Sequence, residues 1–478
     1  MNPSSETFDQ NALAALADKQ LRGALRNATS LFGQRRLAAA RSLDNWEDLR
    51  SQARRIKDEV LLRLDEYLLA FVSKAESRGA EIHWARDAAE ANKIICALTV
   101  ERGAKSIVKS KSMTTEETHL NKALEKAGMQ VVETDLGEYI IQLADETPSH
   151  IIAPAIHKTK KQIAELFTAE LGMPPTDDVG QLTSTARTTL RQFFANSDVG
   201  ISGVNFGVAE TGTIMIVENE GNIRLTTSLP RMHIAVMGIE KIVPRFEDLD
   251  VFLKLLPRSG TGQRLTTYQS LITGVKQSPT EEGPEQLHIV LLDNGRSRML
   301  AHPVTRQSLA CIRCGACLNA CPVYQQIGGH AYGSVYPGPI GAVITPQLMG
   351  LKKTAQLPYA SSLCGACREV CPVKIDIPRL LLHLRSEVTE RSGDHVPKKT
   401  VERLAFKVWA QVMRRPKLYE LSARVGRLMQ RLVVKNKRIG KVGVPPLSGW
   451  TNYRDLRPIE SQSFREQWRK GLIGNREQ

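Results

Sequence analysis

The sequence predicts an α/β fold that is preceded by a helical segment and followed by a cysteine-rich domain and a basic helical tail. Short apolar runs alternate with amphipathic stretches between residues 78 and 295, which is typical of a mostly parallel sheet covered by helices. Before this region, apolar residues recur every three or four positions, as in an amphipathic helix. After it, seven of the eight cysteines fall in two short runs.

The N-terminal segment, residues 1–77, has the pattern of amphipathic helices. Leu61, Leu64, Leu68 and Phe71 are spaced three or four positions apart, with charged residues between them. This spacing places the apolar side chains on one face of a helix. We therefore expect this segment to pack its apolar face against the rest of the chain.

The α/β domain, residues 78–295, is predicted from apolar runs bounded by turn residues. The strands are expected at residues 81–84, 106–109, 130–133, 150–153, 233–237 and 287–292. The helices are expected at residues 88–102, 115–127 and 158–171. A β-hairpin is expected at residues 213–227, with its turn at 219–221.

A Gly- and Thr-rich turn at residues 207–213 contains one acid, Glu210. Such a turn can direct backbone amides toward an anion, but it lacks the G-x-G-x-x-G pattern and no Walker lysine follows it. We interpret Glu210 as an acid that satisfies turn amides, in preference to a catalytic or ligand-binding role. No catalytic residue is assigned.

The cysteine-rich domain, residues 296–395, contains a run with the spacing C-x2-C-x2-C-x3-C-P. Its cysteines are Cys311, Cys314, Cys317 and Cys321. Bacterial ferredoxins with two clusters have this spacing, and the fourth cysteine of the run ligates the other cluster. A second run repeats the ending C-x2-C-x3-C-P with Cys364, Cys367 and Cys371. We therefore predict a ferredoxin-type domain with two iron–sulfur clusters.

The crossed pattern divides the cysteines between the two clusters. The first cluster is expected to bind Cys311, Cys314, Cys317 and Cys371. The second cluster is expected to bind Cys321, Cys364 and Cys367. A complete second run would have one more cysteine where this chain has Ser361. We favour a [4Fe-4S] cluster completed by Ser361, water or a partner's side chain, and a [3Fe-4S] cluster or a labile iron are the alternatives.

Zinc and disulfides are the other uses of cysteines in such runs. Zinc sites use Cys/His quartets such as two separated C-x2-C pairs. The shorter run taken alone is compatible with such a site, but the longer run, with four cysteines in eleven residues, is not. Disulfides are not expected, because the chain starts with a polar stretch and no secretory leader. Cys96 lies in an apolar helical stretch and is expected in the core.

Residues 328–341, between the two cysteine runs, are rich in Gly and Pro. We expect a structured loop there and neither a helix nor a central strand. The loop either covers a cluster or docks an electron-transfer partner through His330, Tyr332 and Tyr336, or it is an excursion that lets the two runs meet. The sequence leaves both interpretations open.

The C-terminal region, residues 396–478, holds nearly all the excess positive charge. Residues 398–478 contain 20 Lys and Arg against 6 Asp and Glu, a difference of +14 in a chain of net charge +15. This charge suits a partner subunit or an anionic membrane surface. Nucleic acid is not expected, since the tail has no aromatic stacking platform or DNA-reading motif. Helices are expected at 401–413 and 418–434, with a break at Pro445 and Pro446.

Four motifs together resemble the lactate utilization protein B family. They are Gly207-Val-Ala-Glu210-Thr-Gly-Thr213, Leu229-Pro-Arg231-Met-His233, the double cysteine run, and His330-Ala-Tyr332-Gly-Ser-Val-Tyr336-Pro-Gly-Pro-Ile-Gly341. The resemblance covers nearly the whole chain and includes the serine at position 361. It implies that the α/β domain is a LUD domain, related to the sugar-isomerase and CoA-transferase type of fold.

The resemblance also implies a function in a three-part system that oxidises L-lactate to pyruvate. In that system this chain is the iron–sulfur electron-transfer subunit, and its partners are a Cys-rich heterodisulfide-reductase-like subunit and a second LUD-domain subunit. The chain has no flavin fingerprint and no adjacent cysteines, so the substrate site is expected on a partner. No apolar stretch approaches eighteen residues, and we expect a cytoplasmic protein, with peripheral membrane contact as one use of the tail.

Three other functions stay open at the level of sequence. The first is an enzyme that binds lactate in its own α/β domain. The second is a redox-responsive scaffold whose incomplete second cluster senses oxygen or iron. The third reading is an iron–sulfur subunit for another 2-hydroxyacid, such as glycolate, because nothing but the resemblance selects lactate.

Overall fold

A parallel six-stranded sheet forms the centre of the α/β region in the computed structural model of the chain, which describes residues 4–390, 400–443, 448, 451 and 454–473. The strands are, in chain order, Ala80–Ala85 (β1), Ser106–Lys109 (β2), Gln130–Glu133 (β3), Val199–Gly203 (β4), Phe206–Val208 (β5), Ile214–Glu218 (β6), Met232–Gly238 (β7), Ile242–Val243 (β8), Tyr268–Ile272 (β9) and Gln286–Leu292 (β10). The large sheet has the order β1-β10-β7-β4-β2-β3, and every neighbouring pair is parallel.

The central strands of this sheet are buried along their whole length. All seven residues of β7 are buried, and in β10 only the first residue is partly exposed. In the register of these strands Ile234 lies beside Ile201 on one side and His288 on the other. Continuous apolar runs of this kind are typical of parallel strands covered by helices on both faces. The sequence prediction of a mostly parallel α/β sheet is therefore confirmed.

A second, smaller sheet lies after the middle of the α/β region. Its order is β8-β5-β6-β9, and β5 and β6 form an antiparallel hairpin. The Gly- and Thr-rich turn at residues 207–213 closes this hairpin. At Gly212, φ is +72° and an added Cβ would lie 2.4 Å from the backbone nitrogen of Ala75, so only glycine fits beside the helix that contains Ala75.

Helices cover both sheets and build the cysteine-rich region. The α-helices of residues 1–390 are Phe8–Ala17, Lys19–Arg41, Trp46–Leu62, Leu64–Glu76, Ala88–Glu101, Met113–Glu117, Leu120–Lys126, Leu136–Leu143, Lys160–Leu171, Val179–Asn196, Asn222–Ser228, Leu249–Gly260, Arg296–Ala301, Ala316–Asn319, Tyr324–Ile327, Gly338–Met349, Leu351–Thr354, Ala366–Glu369 and Ile377–Glu390. Short 3-10 helices are Ser5–Thr7, Ile239–Lys241, Thr305–Ala310, His330–Tyr332 and Leu357–Tyr359.

Five of the six predicted strands are confirmed, and the one at residues 150–153 is wrong. That segment is a loop between Pro148 and Pro154, in which the Ser149 N–H donates to the Pro154 carbonyl. Of its apolar residues only Ile151 is buried, and for another reason. Ile151 packs in the core that surrounds the cysteines, where a short apolar run gives the same sequence signal as a buried strand.

The predicted hairpin at residues 213–227 is also wrong in its second half. Ile214–Glu218 is a strand, but Asn222–Ser228 is a helix. The Glu218 carboxylate accepts hydrogen bonds from the N–H groups of Ile223 at 2.6 Å and Arg224 at 3.0 Å, and thereby caps the helix.

The single helix predicted at 115–127 is divided at His119, where φ is +54°.

The N-terminal helices pack mainly against the cysteine-rich region. The helix Lys19–Arg41 contacts the short helices Ala316–Asn319 and Tyr324–Ile327, and Leu25 and Trp46 belong to the same core as Leu318. The residues that predicted this amphipathic segment, Leu61, Leu64, Leu68 and Phe71, are all buried. The helices between Phe8 and Leu62 are therefore part of the support for the cysteine loops, whereas the helix Leu64–Glu76 packs against β1 and β8.

Residues Pro397–Gln478 form a compact unit of their own, distinct from Met1–Val396. The C-terminal unit has the helices Thr400–Arg414, Pro416–Met429 and Phe464–Arg469, a 3-10 turn at Gln430–Leu432, and a short antiparallel pair, Val434–Lys435 (β11) with Arg438–Ile439 (β12). The two predicted helices are confirmed, with the second ending at Met429. The predicted break at Pro445 and Pro446 lies outside the described residues.

Candidate iron–sulfur site

Four cysteines from the two runs line one cavity. They are Cys311, Cys314, Cys317 and Cys371. The rest of the cavity wall is mainly apolar and includes Ile151, Ile340 and Ile375. Cys371 is thus brought from the second run to the first three cysteines of the first run.

The first cysteine loop owes its shape to two residues in the left-handed region, one on each side of Cys314. Arg313 has φ of +60° and Gly315 has φ of +75°. An added Cβ at Gly315 would lie 3.0 Å from the His150 ring, so glycine also permits close packing here. Backbone amides from both runs donate to sulfur: in the first loop the Arg313 N–H donates to Cys311 Sγ at 3.4 Å, and after the second run the Ile375 N–H donates to Cys371 Sγ at 3.3 Å.

Burial makes these thiols poor acids in the absence of a metal. Cys314, Cys317 and Cys371 are buried, and Cys311 is partly exposed. Burial raises the pKa of Cys371 to about 11 and raises the pKa of Cys314 and Cys317 further. Thiols in this state bind iron only as thiolates, so a bound metal must displace their protons. The donor set, the enclosed cavity and the amides directed at sulfur fit a cubane cluster.

Cationic side chains surround this first group of cysteines. Arg50 donates to the Cys371 carbonyl from Nε at 3.1 Å and from Nη2 at 2.8 Å, and Arg36 donates to the Val370 carbonyl at 3.2 Å. Lys57 is buried with Nζ 2.5 Å from the Glu240 carbonyl oxygen, and burial lowers its pKa to about 7. Such charges compensate the negative charge that thiolates and a cluster bring into the interior.

The second group, Cys321, Cys364 and Cys367, is closer to solvent. Cys321 and Cys367 are buried, but Cys364 is exposed. Burial, followed by the proximity of Cys321, raises the pKa of Cys367 to about 12. Cys367 also raises the pKa of Cys317, although burial, Cys311 and Cys314 have larger effects. Because Cys367 belongs to the second group and Cys317 to the first, the two groups adjoin each other.

Ser361 occupies the place in the second loop that Cys311 occupies in the first. Leu363 has φ of +56° and Gly365 has φ of +86°. Their counterparts in the first loop, Arg313 and Gly315, have φ values that agree with these to within about 15°. The Leu363 N–H donates to Ser361 Oγ at 3.1 Å, which matches the amide-to-sulfur bond at Cys311. The Arg385 guanidinium fixes this loop by donating to the Ser361 carbonyl at 2.9 Å. The serine oxygen is therefore held where the first loop holds a sulfur.

Models of three protein families match successive parts of this chain. A LUD domain matches residues 68–292, a 4Fe-4S dicluster domain matches residues 307–375, and the C-terminal domain of lactate utilisation protein B matches residues 383–471. A lactate utilization protein B of Anoxybacillus flavithermus is 45% identical over 474 residues, which is 98% of each chain. Proteins described in the same way from Bacillus pumilus and a Geobacillus species are 43% and 44% identical over 98% and 99% of each chain.

This chain belongs to the lactate utilization protein B family. The resemblance inferred from the sequence motifs is confirmed, as is a LUD domain followed by a ferredoxin-type iron–sulfur domain. A solved DUF162 family protein from Deinococcus radiodurans aligns with 49% of this chain and 98% of its own chain, at 14% identity and a TM-score of 0.26.

The loop between the cysteine runs is a supporting structure in this family member. Tyr332 and Tyr336 are buried, so the interpretation that these tyrosines dock a partner is wrong. The Tyr336 hydroxyl donates to Glu117 at 2.7 Å, and the Arg313 guanidinium lies 4.7 Å from the centre of the Tyr336 ring. The expectation of no helix in residues 328–341 is wrong for the last four of them, because a helix begins at Gly338. Pro339 is tolerated in its first turn, where no amide hydrogen is needed.

A buried ion-pair network connects the α/β region to the first cysteine loop. Arg296 donates to Glu240 at 2.6 Å and to Glu117 at 2.8 Å, and Arg313 lies 3.5 Å from Glu240. The facing arginines outweigh burial and lower the pKa of Glu240 to about 2. The network therefore keeps a carboxylate charged inside the protein and fixes the backbone between Cys311 and Cys314.

The remaining predicted residues have structural roles. Glu210 is exposed and its Oε2 accepts the Phe246 N–H at 2.8 Å, as expected of a turn acid. Cys96 is partly buried and packs against the core of the large sheet. The sequence interpretation missed Lys111, Lys241 and Arg313, which line a cleft beside Cys314. The sequence did contain a signal for this cleft, because Lys111 and Lys241 follow two of the parallel strands within three residues.

Proposed function

We propose that this chain is the iron–sulfur electron-transfer subunit of a system that oxidises L-lactate to pyruvate. The observation that carries this proposal is the convergence of the cysteines from two runs into two adjoining groups. The substrate comes from the relatives, whose names describe them as lactate utilization proteins. When bound, a cluster supplies one-electron transfer, and lactate oxidation releases two electrons, which suits a pair of clusters.

The proposed ligands of the first cluster are Cys311, Cys314, Cys317 and Cys371. The enclosing apolar wall and the amides that point at Cys311 and Cys371 support this set. The proposed ligands of the second cluster are Cys321, Cys364 and Cys367. Ser361 Oγ is the proposed fourth ligand, because the loop holds it in the position that corresponds to Cys311 Sγ.

The electron-transfer proposal is tested by reconstitution. Anaerobically purified chain alone is expected to give no lactate-dependent reduction of an artificial acceptor. Activity is expected when the chain is combined with a Cys-rich heterodisulfide-reductase-like subunit and a second LUD-domain subunit. The Cys371→Ser variant should lose that activity, together with iron. Full activity of an iron-free variant would contradict the proposal.

A redox-responsive role for the second group is the alternative that one observation favours. Cys364 is exposed and the group has one oxygen in place of a sulfur, so iron at this group is accessible to oxidants. A Cys364→Ser variant that retains electron flux in the reconstituted system would favour regulation. Loss of flux would assign the second group to electron transfer.

We also propose that the basic C-terminal unit docks on a surface of opposite charge, with an anionic membrane as the occupant. Its helices expose large apolar side chains, among them Phe406, Trp409 and Leu421, beside their arginines and lysines. Apolar side chains next to basic ones favour the boundary of anionic lipids. Within the described part of the chain no helix is long and apolar enough to cross a membrane.

The vesicle test compares the full chain with a chain that ends at residue 396. The full chain is expected to sediment with vesicles that contain phosphatidylserine and to remain in solution with neutral vesicles. The shortened chain should stay in solution in both cases. If the full chain ignores anionic vesicles but associates with its partner subunits only when the tail is present, the tail is a subunit-docking element and membrane docking is wrong.

A further inference from the structure

A cleft runs along the carboxyl ends of four adjacent strands of the large sheet. Its volume is about 280 Å³, which accommodates a small organic molecule. Lys111 follows β2, Asp135 follows β3, Asn205 follows β4 and Lys241 follows β7. In parallel α/β sheets, ligands bind at this edge, because the loops there converge from several strands.

The cleft shares a wall with the cavity of the first cysteine group. Arg313 and Cys314 line both spaces. Gly260 also lines the cleft and lies directly beside this wall, because an added Cβ there would be 2.9 Å from the Cys314 carbonyl oxygen. A molecule in the cleft would therefore lie against the loop that carries the first cysteines.

The acids that line the cleft are already committed to backbone amides. Glu218 caps the helix Asn222–Ser228 and Asp135 caps the helix Leu136–Leu143. Glu220 accepts the first amide of the latter helix at 3.1 Å. Carboxylates that accept amide hydrogen bonds in this way have less capacity left to bind a cation. The acids therefore stabilise the walls of the cleft.

The cations that line the cleft have unused hydrogen-bond donors. Lys241 is 7% exposed, and its Nζ makes no hydrogen bond within the described residues. Arg313 Nη1 and Lys111 Nζ are buried without a hydrogen-bond acceptor among the residues that the structure describes. The closest carboxylate oxygen to Lys111 Nζ is that of Glu138, at 3.6 Å. Buried donors of this kind are costly unless a ligand or water accepts from them.

We propose that this cleft binds a small carboxylate of the 2-hydroxy or 2-oxo acid class, with the carboxylate held by Lys241 and Arg313. Lys111 adds a third positive charge, and Ser112 also lines the cleft. The Ser112 Oγ accepts the Thr115 N–H at 3.2 Å, and its O–H proton is left to donate to the hydroxyl or keto oxygen of such an acid. The inference rests on the proposed function, from which the class of acid is taken. It adds that this chain itself, and not only a partner, contacts the substrate or product.

A competing explanation is that Lys241 and Arg313 serve only to compensate the charge of the first cluster. Under that explanation the cleft binds no anion, and removing Lys241 alters the cluster alone. Under the proposal, removing Lys241 weakens the binding of an acid that the unmodified chain binds. The two explanations therefore differ in a binding measurement that requires no activity.

The experiment is calorimetric titration of the anaerobic, iron-loaded full chain with L-lactate, pyruvate and the neutral isostere lactamide. Saturable binding of L-lactate or pyruvate, and none of lactamide, is expected. Lys241→Gln should weaken this binding about tenfold or more, the usual result of losing a charge-assisted hydrogen bond. Lys111→Gln, which lies after β2 and outside the cysteine loops, should weaken it as well. Lys105→Gln, an exposed lysine just before β2, should leave it unchanged.

Two outcomes would overturn the inference: no saturable binding by a chain that carries its full iron, or equal affinities in Lys241→Gln, Lys111→Gln and the unmodified chain. Iron content and the EPR spectrum of each sample report the clusters independently. A chain that has intact clusters but does not bind the acid would therefore contradict this inference and leave the electron-transfer proposal unaffected. A chain without clusters would contradict the electron-transfer proposal, regardless of whether it binds the acid.

Discussion

The two cysteine groups lie on loops of the same conformation but in different surroundings. In both loops a residue with φ near +60° precedes a cysteine, and a glycine with positive φ follows it. In both loops a backbone amide points at the atom that begins the run, Cys311 Sγ in one and Ser361 Oγ in the other. The two loops therefore have the same backbone design, although the second has an oxygen where the first has its leading sulfur.

The surroundings determine how far solvent and partners can reach each group. The first group is enclosed by apolar side chains and by Arg36, Arg50 and Lys57, whereas the second includes the exposed Cys364. Hydrogen bonds to sulfur and solvent exposure both change the reduction potential of an iron–sulfur cluster. One loop design in two environments thus provides two sites of different accessibility.

The largest expected effect is loss of the enclosed cluster. Cys317→Ser should remove the first cluster and lower the Tm by about 5 °C or more, because the surrounding buried cations lose the charge that they compensate. Cys364→Ser, at the exposed position, should remove only iron of the second group and lower the Tm by less than about 2 °C. Iron and sulfide counts with anaerobic calorimetry check both variants. Equal decreases in Tm would show that the two groups are equally enclosed.

The ion-pair network behind the first loop gives the next effect. Arg296→Met leaves Glu240 and Glu117 buried without their partner and should lower the free energy of unfolding by about 3–5 kcal/mol. Arg368→Met is the matched change in the second loop, where the guanidinium is 61% exposed and 3.5 Å from Asp376. It should cost less than about 1 kcal/mol. Denaturant unfolding measures both values, and a small effect of Arg296→Met would contradict a rigid support.

Two buried carboxyls give a smaller and pH-dependent effect. Arginines lower the pKa of Glu240 to about 2, so it contributes stability above about pH 4.5 that is lost only as the pH falls toward 2. Burial raises the pKa of Glu138 to about 8. Its folded form therefore keeps a proton that the unfolded chain releases, and the free energy of unfolding should fall as the pH rises from 5 to 8. Glu138→Gln should reduce this slope, and an unchanged slope would exclude Glu138 as its source.

The smallest expected effect on stability comes from completing the second group. Ser361→Cys changes one oxygen to sulfur and should alter the free energy of unfolding by less than about 1 kcal/mol. It should nevertheless slow the loss of iron in air, because a thiolate is the better ligand. Ser362→Cys is the control, since it adds a thiol beside the ligand position. If both variants lose iron at the rate of the unmodified chain, position 361 is not a ligand position.

The sequence predicted those features that depend on short-range pattern. The strands at 233–237 and 287–292 are apolar apart from one histidine each, and the cysteine spacing indicated the iron–sulfur domain. The helix Asn222–Ser228 was mistaken for a strand because Thr226 and Thr227 are β-branched and its cap comes from Glu218, which lies outside the helix.

The cleft could not be predicted, because tertiary structure brings its residues together. Its three cations are Lys111, Lys241 and Arg313, and Lys111 lies more than a hundred residues before the other two. They meet only because four strands end at one edge of the sheet. The helical N-terminal segment likewise gave no sign that Leu25 and Trp46 would join the core around the cysteines. Periodicity identifies a buried face but does not identify what covers it.

The most direct test of the central claim is whether each cluster takes its ligands from both cysteine runs. EPR spectra of anaerobic Cys311→Ser, Cys321→Ser, Cys367→Ser and Cys371→Ser variants distinguish the two clusters. We expect Cys371→Ser to remove the same signal as Cys311→Ser, and Cys321→Ser to affect the same signal as Cys367→Ser. If Cys321→Ser instead removes the signal that Cys311→Ser removes, each run would ligate its own cluster and the crossed arrangement would be wrong.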